Sequence, residues 1–165
     1  MALHLTEPKI IGRGPYNLVG CYAICEGDEE PWGEATEGLV RKLGEIRNRV
    51  GDTQLAFLYR PYRDDPSVSE EARSCFMGVE VADLTQIPEG MTATRFSGGK
   101  YVTIECRGDT ENEAAMGVGK AIHQLEEWIP QNGYREGDAC FCFSHEEADV
   151  PPFIQYVYIK LEELA

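Results

Sequence analysis

The clearest alternation of apolar and polar positions lies in the second half of the chain. From Lys100 to Cys106, Val102, Ile104 and Cys106 point one way and Tyr101, Thr103 and Glu105 the other, which is the period of a strand. Gly108-Asp109-Thr110 interrupts it, and Asp109 or Thr110 suits the N-cap of a helix. Ala115, Val118, Ile122, Leu125 and Ile129 then recur at helical spacing, until Pro130, Asn132 and Gly133 end the run. A short apolar strand is predicted over Ala139–Phe143. A polar loop over 144–152 leads to a last strand, Phe153–Leu161.

The first half repeats this order. Val19–Cys25 reads as a strand, closed by Glu26-Gly27-Asp28 as Arg107-Gly108-Asp109 closes its counterpart. A helix is predicted from Trp32 to Val50, with Leu39, Val40, Leu43 and Ile46 inward. Gly33, Gly38 and Gly44 each weaken it by about 1 kcal/mol relative to alanine, so tertiary contacts must hold it. Gln54–Tyr59 is a short strand, 60–72 a polar loop, and Ser74–Leu84 another strand. That segment aligns without gaps on the last strand, Phe76 with Tyr156, Gly78 with Tyr158 and Glu80 with Lys160. The pattern predicts an α+β fold of duplicated β-α-β-β units, about 8–84 and 92–164, joined by Thr85–Gly99 and its Ile87-Pro88-Glu89-Gly90 turn. The expected result is a single domain over 1–165: an antiparallel sheet with two long helices on one face and a cleft between pseudo-symmetric halves.

Charge and composition narrow the chemistry. Lys and Arg number 15 against 29 Asp and Glu, a formal net charge of −14. That argues against a direct nucleic-acid contact, which needs clustered cations. No stretch is apolar and long enough to span a membrane, and the first residues lack the pattern of an export signal, so a cytoplasmic protein is expected. The cysteines, Cys21, Cys25, Cys75, Cys106, Cys140 and Cys142, sit in apolar stretches and read as reduced core thiols. The Cys140-Phe-Cys142 pair lacks the spacer of a structural zinc site, so no metal is expected. Gly12-Arg13-Gly14 and Gly117-Val118-Gly119-Lys120 lack the spacing of phosphate-binding loops, and no cofactor is expected.

Several stretches carry a resemblance to a known family. Ile87-Pro88-Glu89-Gly90 leading into Gly99-Lys100-Tyr101-Val102, the helix end Glu127-Trp128-Ile129-Pro130-Gln131-Asn132-Gly133-Tyr134, and Val157-Tyr158-Ile159 occur in the order found in GyrI-like effector-binding domains. The chain resembles that family from about Glu7 to Leu164, with Lys160 where the family often has proline. The resemblance implies a ligand pocket between the halves, filled in family members by flat aromatic or cationic compounds. Regulators of the family carry a DNA-binding domain ahead of this module. This chain shows no room for one before residue 8, so it is expected to act as a stand-alone member. Cation-sensing members often place a glutamate on the strand matching Ala139–Phe143, where this chain has only cysteine and phenylalanine. That shifts the acid's task to Glu80 or Glu105 and leaves a neutral aromatic ligand open.

The candidate ligand-binding residues are Trp32, Phe57, Tyr59, Glu80, Tyr101, Glu105, Phe141, Phe143, Tyr156 and Tyr158. Tyrosine suits a half-wet site because its hydroxyl needs a partner when buried, and a cation over such rings gains about 0.5–2 kcal/mol each. A carboxylate in a half-apolar strand is desolvated unless a cation pairs with it. The reading is therefore a binder of a hydrophobic aromatic small molecule, cationic or neutral, acting as a sensor or sequestering module. Two alternatives remain open at this stage. One is a hydrolase of electrophilic cyclopropane-type natural products, with Glu105 or Glu80 activating water. The other is a protein partner, as in the family's gyrase inhibitors.

Overall fold

The computed structural model describes residues 3–25, 32–59, 73–144 and 152–164. The expected acidic turn at 26–28 and the loops at 60–72 and 145–151 lie outside them. The chain divides into two compact units, one of Tyr16–Arg95 and one of Met1–Pro15 with Phe96–Ala165.

In the first of these, β3 (Tyr16–Cys25) is followed by α1 (Trp32–Lys42), β4 (Arg49–Tyr59) and β5 (Arg73–Val81). β5 lies between its antiparallel partners β3 and β4, with Leu18 opposite Glu80 and Phe57 opposite Phe76. In the other, β7 (Gly99–Gly108), α2 (Glu111–Gln131), β8 (Tyr134–Ser144) and β9 (Phe153–Glu163) come in the same order. β9 lies between β7 and β8, with Thr103 and Phe141 both opposite Tyr158. Each unit is thus a β-α-β-β element whose last strand is central. The second strand of each breaks register near its start, between Arg49 and Gln54 in β4 and between Glu136 and Cys140 in β8.

Three strands escaped the sequence pattern. β1 (His4–Leu5) and β2 (Lys9–Arg13) both pair with β7, and β6 (Thr92–Phe96) runs beside β3 inside the expected linker. The linker's turn forms as expected: Met91 N–H donates to Pro88 O at 3.1 Å, with Gly90 at φ 81° in the position that favours glycine.

The helices are unequal, 11 residues for α1 and 21 for α2. The expected long first helix stops at Lys42, a 3-10 turn covers Leu43–Glu45, and Ile46 is already extended. Leaving the helix there lets Ile46 join Val19, Leu39, Val79 and Val81 in the core beneath α1. With the buried face centred on Ala35 and Leu39, Val40 sits on the flank at 57% exposure instead of inward.

α2 packs on β7, β8 and β9. Thr110 is its N-cap and accepts from Glu113 N–H at 3.1 Å, while the Glu113 carboxylate accepts from Asp109 N–H at 2.8 Å. The buried stripe is Ala114, Gly117, Ala121, Ile122, Leu125 and Ile129, so at its start Ala114 and Gly117 stand where Ala115 and Val118 were expected. The reason is close approach: a Cβ at Gly117 would lie 3.1 Å from Cys106 Cβ and nearer still to Leu3. Pro130 falls inside the last turn, and the helix ends at Asn132 and Gly133, the latter at φ 83°. Beneath α2, Val102, Ile104, Val157, Ile159 and Leu161 form the buried face.

Candidate functional site

Strand alternation separates the faces of the β7–β9–β8 sheet. The odd-numbered residues of β9 face α2. Tyr156, Tyr158, Lys160 and Glu162 face away from it, with Tyr101, Thr103, Glu105 and Arg107 of β7 and Phe141 of β8 in register beside them. This helix-free face carries a continuous row of aromatic side chains. Phe96 stacks on Phe141 with centroids 5.2 Å apart, Phe141 on Tyr158 at 5.1 Å, and Tyr158 on Tyr156 at 6.5 Å. Tyr101 meets Phe141 edge-on at 5.8 Å. Offset and edge-to-face pairs of this kind add about 0.5–1.5 kcal/mol each beyond burial.

The row is graded in exposure. Tyr101 is fully buried, Phe141 is 2% exposed and Tyr158 7%, whereas Tyr156 is half-buried. Tyr101 satisfies its hydroxyl by donating to Ser97 O at 2.9 Å, and Lys160 Nζ donates to the Ser97 hydroxyl. Thr103, opposite Tyr158, has a buried hydroxyl oxygen without a hydrogen-bond partner. Leaving such a group unsatisfied costs about 1–3 kcal/mol.

Charges border the rings. The Arg13 guanidinium lies over Tyr158, its carbon 4.8 Å from the ring centroid. The backbone that carries Arg13 passes close to Gly98, where a Cβ would press at 3.2 Å on Arg13 O and on Pro15. Arg107 holds Glu105 with both Nη2, at 2.6 Å, and Nε, at 3.1 Å. Thr6 ties the backbone of the same residue, its hydroxyl accepting from Glu105 N–H at 3.0 Å and its N–H donating to Glu105 O at 3.1 Å. Farther along, Arg135 Nε pairs with Glu162 at 2.9 Å. Burial, with help from the Glu105 charge and Tyr158, pushes the Tyr156 hydroxyl above its ordinary value, and Arg107 pulls weakly the other way. Tyr156 is therefore a neutral hydroxyl throughout the physiological range.

The sequence-predicted residues divide between the two units. Tyr101, Glu105, Phe141, Tyr156 and Tyr158 come together on the helix-free face just described. Glu80 belongs to the other unit, on the face of β5 opposite Val79 and Val81 and in register with Leu18. The side chains of Trp32, Phe57, Tyr59 and Phe143 lie outside the described residues. At the positions matching Thr103 and Tyr158, the other unit has Gly20 and Gly78, with the Phe76 ring lying over Gly78. Sequence reasoning missed Arg13, Phe96 and Arg107. Thr92, Thr94 and Phe96 do alternate as in a strand, and the paired Ile10 and Ile11 just before Gly12 were the trace of β2.

Of the described residues, no group of His, Cys, Asp and Glu is arranged to hold a metal ion. No described helix is long and apolar enough to cross a membrane. Cys21, Cys106, Cys140 and Cys142 are free thiols.

Two β-α-β-β elements, one of which carries a helix on one face and an aromatic row on the other, make this an antiparallel α+β protein. The family model described as integron-associated effector binding protein (Cass2) matches residues 29–147, and the chain belongs to that family. The GyrI-like resemblance seen in the sequence is thereby borne out. Among curated proteins no sequence matches. Solved structures share the fold at low identity. The integron cassette protein VCH_CASS2 from the mobile metagenome of Vibrio cholerae is 13% identical with a TM-score of 0.64, covering 97% of this chain and 99% of its own. The EcmrR C-terminal domain is 12% identical with a TM-score of 0.69, covering 96% and 98%. SAV2435, solved bound to tetraphenylphosphonium, is 12% identical with a TM-score of 0.64, covering 95% and 94%.

Proposed function

We propose that this protein binds a flat, largely apolar aromatic small molecule against the Tyr156–Tyr158 end of the aromatic row, as a sensor or sequestering module. The observation that carries the reading is the row itself: stacked rings that run from the buried Phe96 and Phe141 to the half-buried Tyr156. Buried rings fix the platform at little entropic cost, and a partly open tyrosine offers a face to stack on and a hydroxyl to orient a ligand. Membership in an effector-binding family and a fold shared with a protein solved holding a tetraphenyl compound support the same reading.

Binding is favoured over hydrolysis by the state of Glu105. A general base must present an oxygen to a water, and here Arg107 holds one of the two Glu105 oxygens, Oε2, through two hydrogen bonds, a pairing that suits a fixed charge better than a base. The site is read as cytoplasmic and free of cofactors.

The test is equilibrium titration with polycyclic aromatic dyes, followed by fluorescence. Micromolar binding that Tyr156→Ala weakens about tenfold or more, with the melting temperature little changed, is the expected outcome. Binding that ignores Tyr156→Ala places the ligand elsewhere.

A further inference from the structure

We propose that Thr103 is a specificity-determining residue of this site, its hydroxyl selecting flat, uncharged ring systems that carry a hydrogen-bond acceptor in the ring plane, such as a ring nitrogen. The inference rests on the aromatic row being the binding site, and it adds what the bound rings must present at their edge.

The observation behind it is a polar atom left unmatched in the free protein. Thr103 Oγ1 is shut off from solvent and has no hydrogen-bond partner. The residue lies on the helix-free face, in register with Tyr158 on one side and Lys9 on the other. Its neighbours along that face of β7 are turned elsewhere, Tyr101 donating to Ser97 O and Glu105 accepting from Arg107. A hydroxyl in this position has lost its water without gaining a replacement. Valine has the same outline, suits a strand equally well and would carry no such cost. The fold itself makes no demand for the hydroxyl, since the matching position of the other unit is Gly20.

One bond rotation brings the hydroxyl to a ligand. Thr103 as a whole is only half-buried, although its oxygen is covered. β2 and β9 flank its backbone on both sides, so what solvent reaches is the remainder of the side chain. A χ1 step between staggered wells exchanges the methyl and the hydroxyl. Directly opposed residues have Cβ atoms about 4.5–5.5 Å apart, so a ring lying against the Tyr156–Tyr158 end has its edge within reach of that hydroxyl.

The proton decides the chemistry of the partner. An orphaned donor is rarer in folded proteins than an under-used acceptor, so the partner called for is first of all an acceptor. A ring nitrogen supplies one in the plane of the rings, and adds neither charge nor thickness to a molecule that must lie flat.

The probes are naphthalene, quinoline and isoquinoline, which share one outline, are all uncharged at neutral pH and differ by a ring nitrogen. Each is titrated into the full chain and into Thr103→Val. The quantity compared is the ratio of the naphthalene dissociation constant to that of the aza compound, so the unequal hydration of the probes cancels between the two proteins. For at least one aza compound that ratio is expected to fall about five- to thirtyfold in Thr103→Val, the worth of one hydrogen bond made to a group previously unsatisfied. Naphthalene itself should bind the variant no more weakly, and the free variant should match or exceed the wild type in its urea midpoint. Thr103→Ser, which keeps the hydroxyl, should keep the ratio. Should Thr103→Val fail to fold, Thr103→Ala takes its place in the comparison of ratios. A ratio unchanged by loss of the hydroxyl overturns the proposal and leaves the aromatic site standing. So does a well-folded valine variant with a lower urea midpoint, which would show the hydroxyl already satisfied in the free protein by an ordered water. If none of the probes binds the wild type, the site reading falls and this proposal with it.

Discussion

Gly20 and Gly78 face each other across β3 and β5, and neither position has room for a Cβ. A Cβ on Gly20 would lie 2.5 Å from Gly78 Cα and closer still to Met77 O. One on Gly78 would lie 2.5 Å from the Phe76 ring and 2.8 Å from Val19 O. Because the obstacles at Gly20 are backbone atoms, no rotamer change relieves them. Gly20→Ala is expected to lower unfolding free energy by about 3 kcal/mol, the upper part of the range for overpacking. Gly12→Ala in β2, where nothing lies within 4 Å, is expected to be neutral or slightly stabilising. Urea denaturation of the two variants makes the comparison.

Phe141 is the hub of the aromatic row, touching Phe96, Tyr101 and Tyr158. Phe141→Ala removes a 2%-exposed ring and leaves a cavity, for which about 3–5 kcal/mol is the usual cost. Tyr156 is at the half-buried end of the row and stacks on Tyr158. Tyr156→Ala should cost about 1 kcal/mol while weakening ligand binding far more. Thermal melts set beside dye titrations separate the two effects. A Phe141 variant as stable as wild type would show that the row is not part of the core.

Much of this was legible in the chain before any coordinates. The alternation in Lys100–Cys106 gave both faces of β7, because one face is buried under a helix and the other is lined with rings, so the period of two stays clean. The register of the two last strands was equally readable, and Glu80 and Lys160 do occupy matching positions, opposite Leu18 and Tyr101. Failures came where size, not polarity, decides. Ala114 and Gly117 are inside because α2 approaches β7 closely, and a hydrophobic pattern undervalues alanine and glycine. Val40 was placed inward because the helix was drawn too long. β1, β2 and β6 are two to five residues each, so even the alternation of Thr92, Thr94 and Phe96 does not stand out from a loop, and their partners are distant in sequence. That is why Arg13 and Phe96, which complete the aromatic row, were not foreseen.

The thiols of α2's underside make stability sensitive to alkali. Burial, with a smaller contribution from Cys142, pushes the Cys106 thiol up to about 12. Cys142 keeps some surface exposure as a residue, yet burial around its thiol pushes it to about 11. In the unfolded chain both would lose their protons near 8.5. Between those values the folded state holds protons that the unfolded state has released, so stability falls as pH rises. The contribution of the neutral thiols is fully present below about 8.5 and is lost on approach to the folded values. Tyr156 acts in the same direction above about 10, the ordinary tyrosine value. The urea midpoint should be level near neutrality and decline from about pH 9. The double variant Cys106→Ala, Cys142→Ala should start lower and decline less steeply. A midpoint independent of pH up to 11 would contradict the burial of these groups.

Thr110 and Glu113 hold the start of α2 through their reciprocal bonds to backbone N–H groups. Thr110→Ala leaves the Glu113 N–H without its acceptor and should cost about 1 kcal/mol. Thr110→Ser, which keeps the acceptor, should cost a few tenths at most. Because α2 covers the face opposite the rings, neither change should alter dye affinity. A chemical denaturation series with parallel titration reads both quantities, and a loss of affinity in Thr110→Ala would mean that the helix position is transmitted to the aromatic row.

Glu105→Gln distinguishes what the carboxylate does from where it sits. Its side chain is 30% exposed and that of Arg107 44%, so the pair contributes at most about 1 kcal/mol to stability, and the variant should fold normally. A glutamine keeps the shape and one acceptor oxygen but removes the negative charge beside Tyr156 and leaves Arg107 without its counter-ion. The face then becomes more positive, so a cationic polycyclic dye should bind a few-fold more weakly than it does to the wild type. The loss of that nearby charge should also bring the Tyr156 hydroxyl partway back toward its ordinary value, visible as a lower pH for phenolate absorbance. Glu80→Gln, in the other unit, should change none of these readings. If a cationic dye bound as tightly to Glu105→Gln as to the wild type, the carboxylate would take no part in the ligand's surroundings, and the bound molecule would lie away from this end of the row.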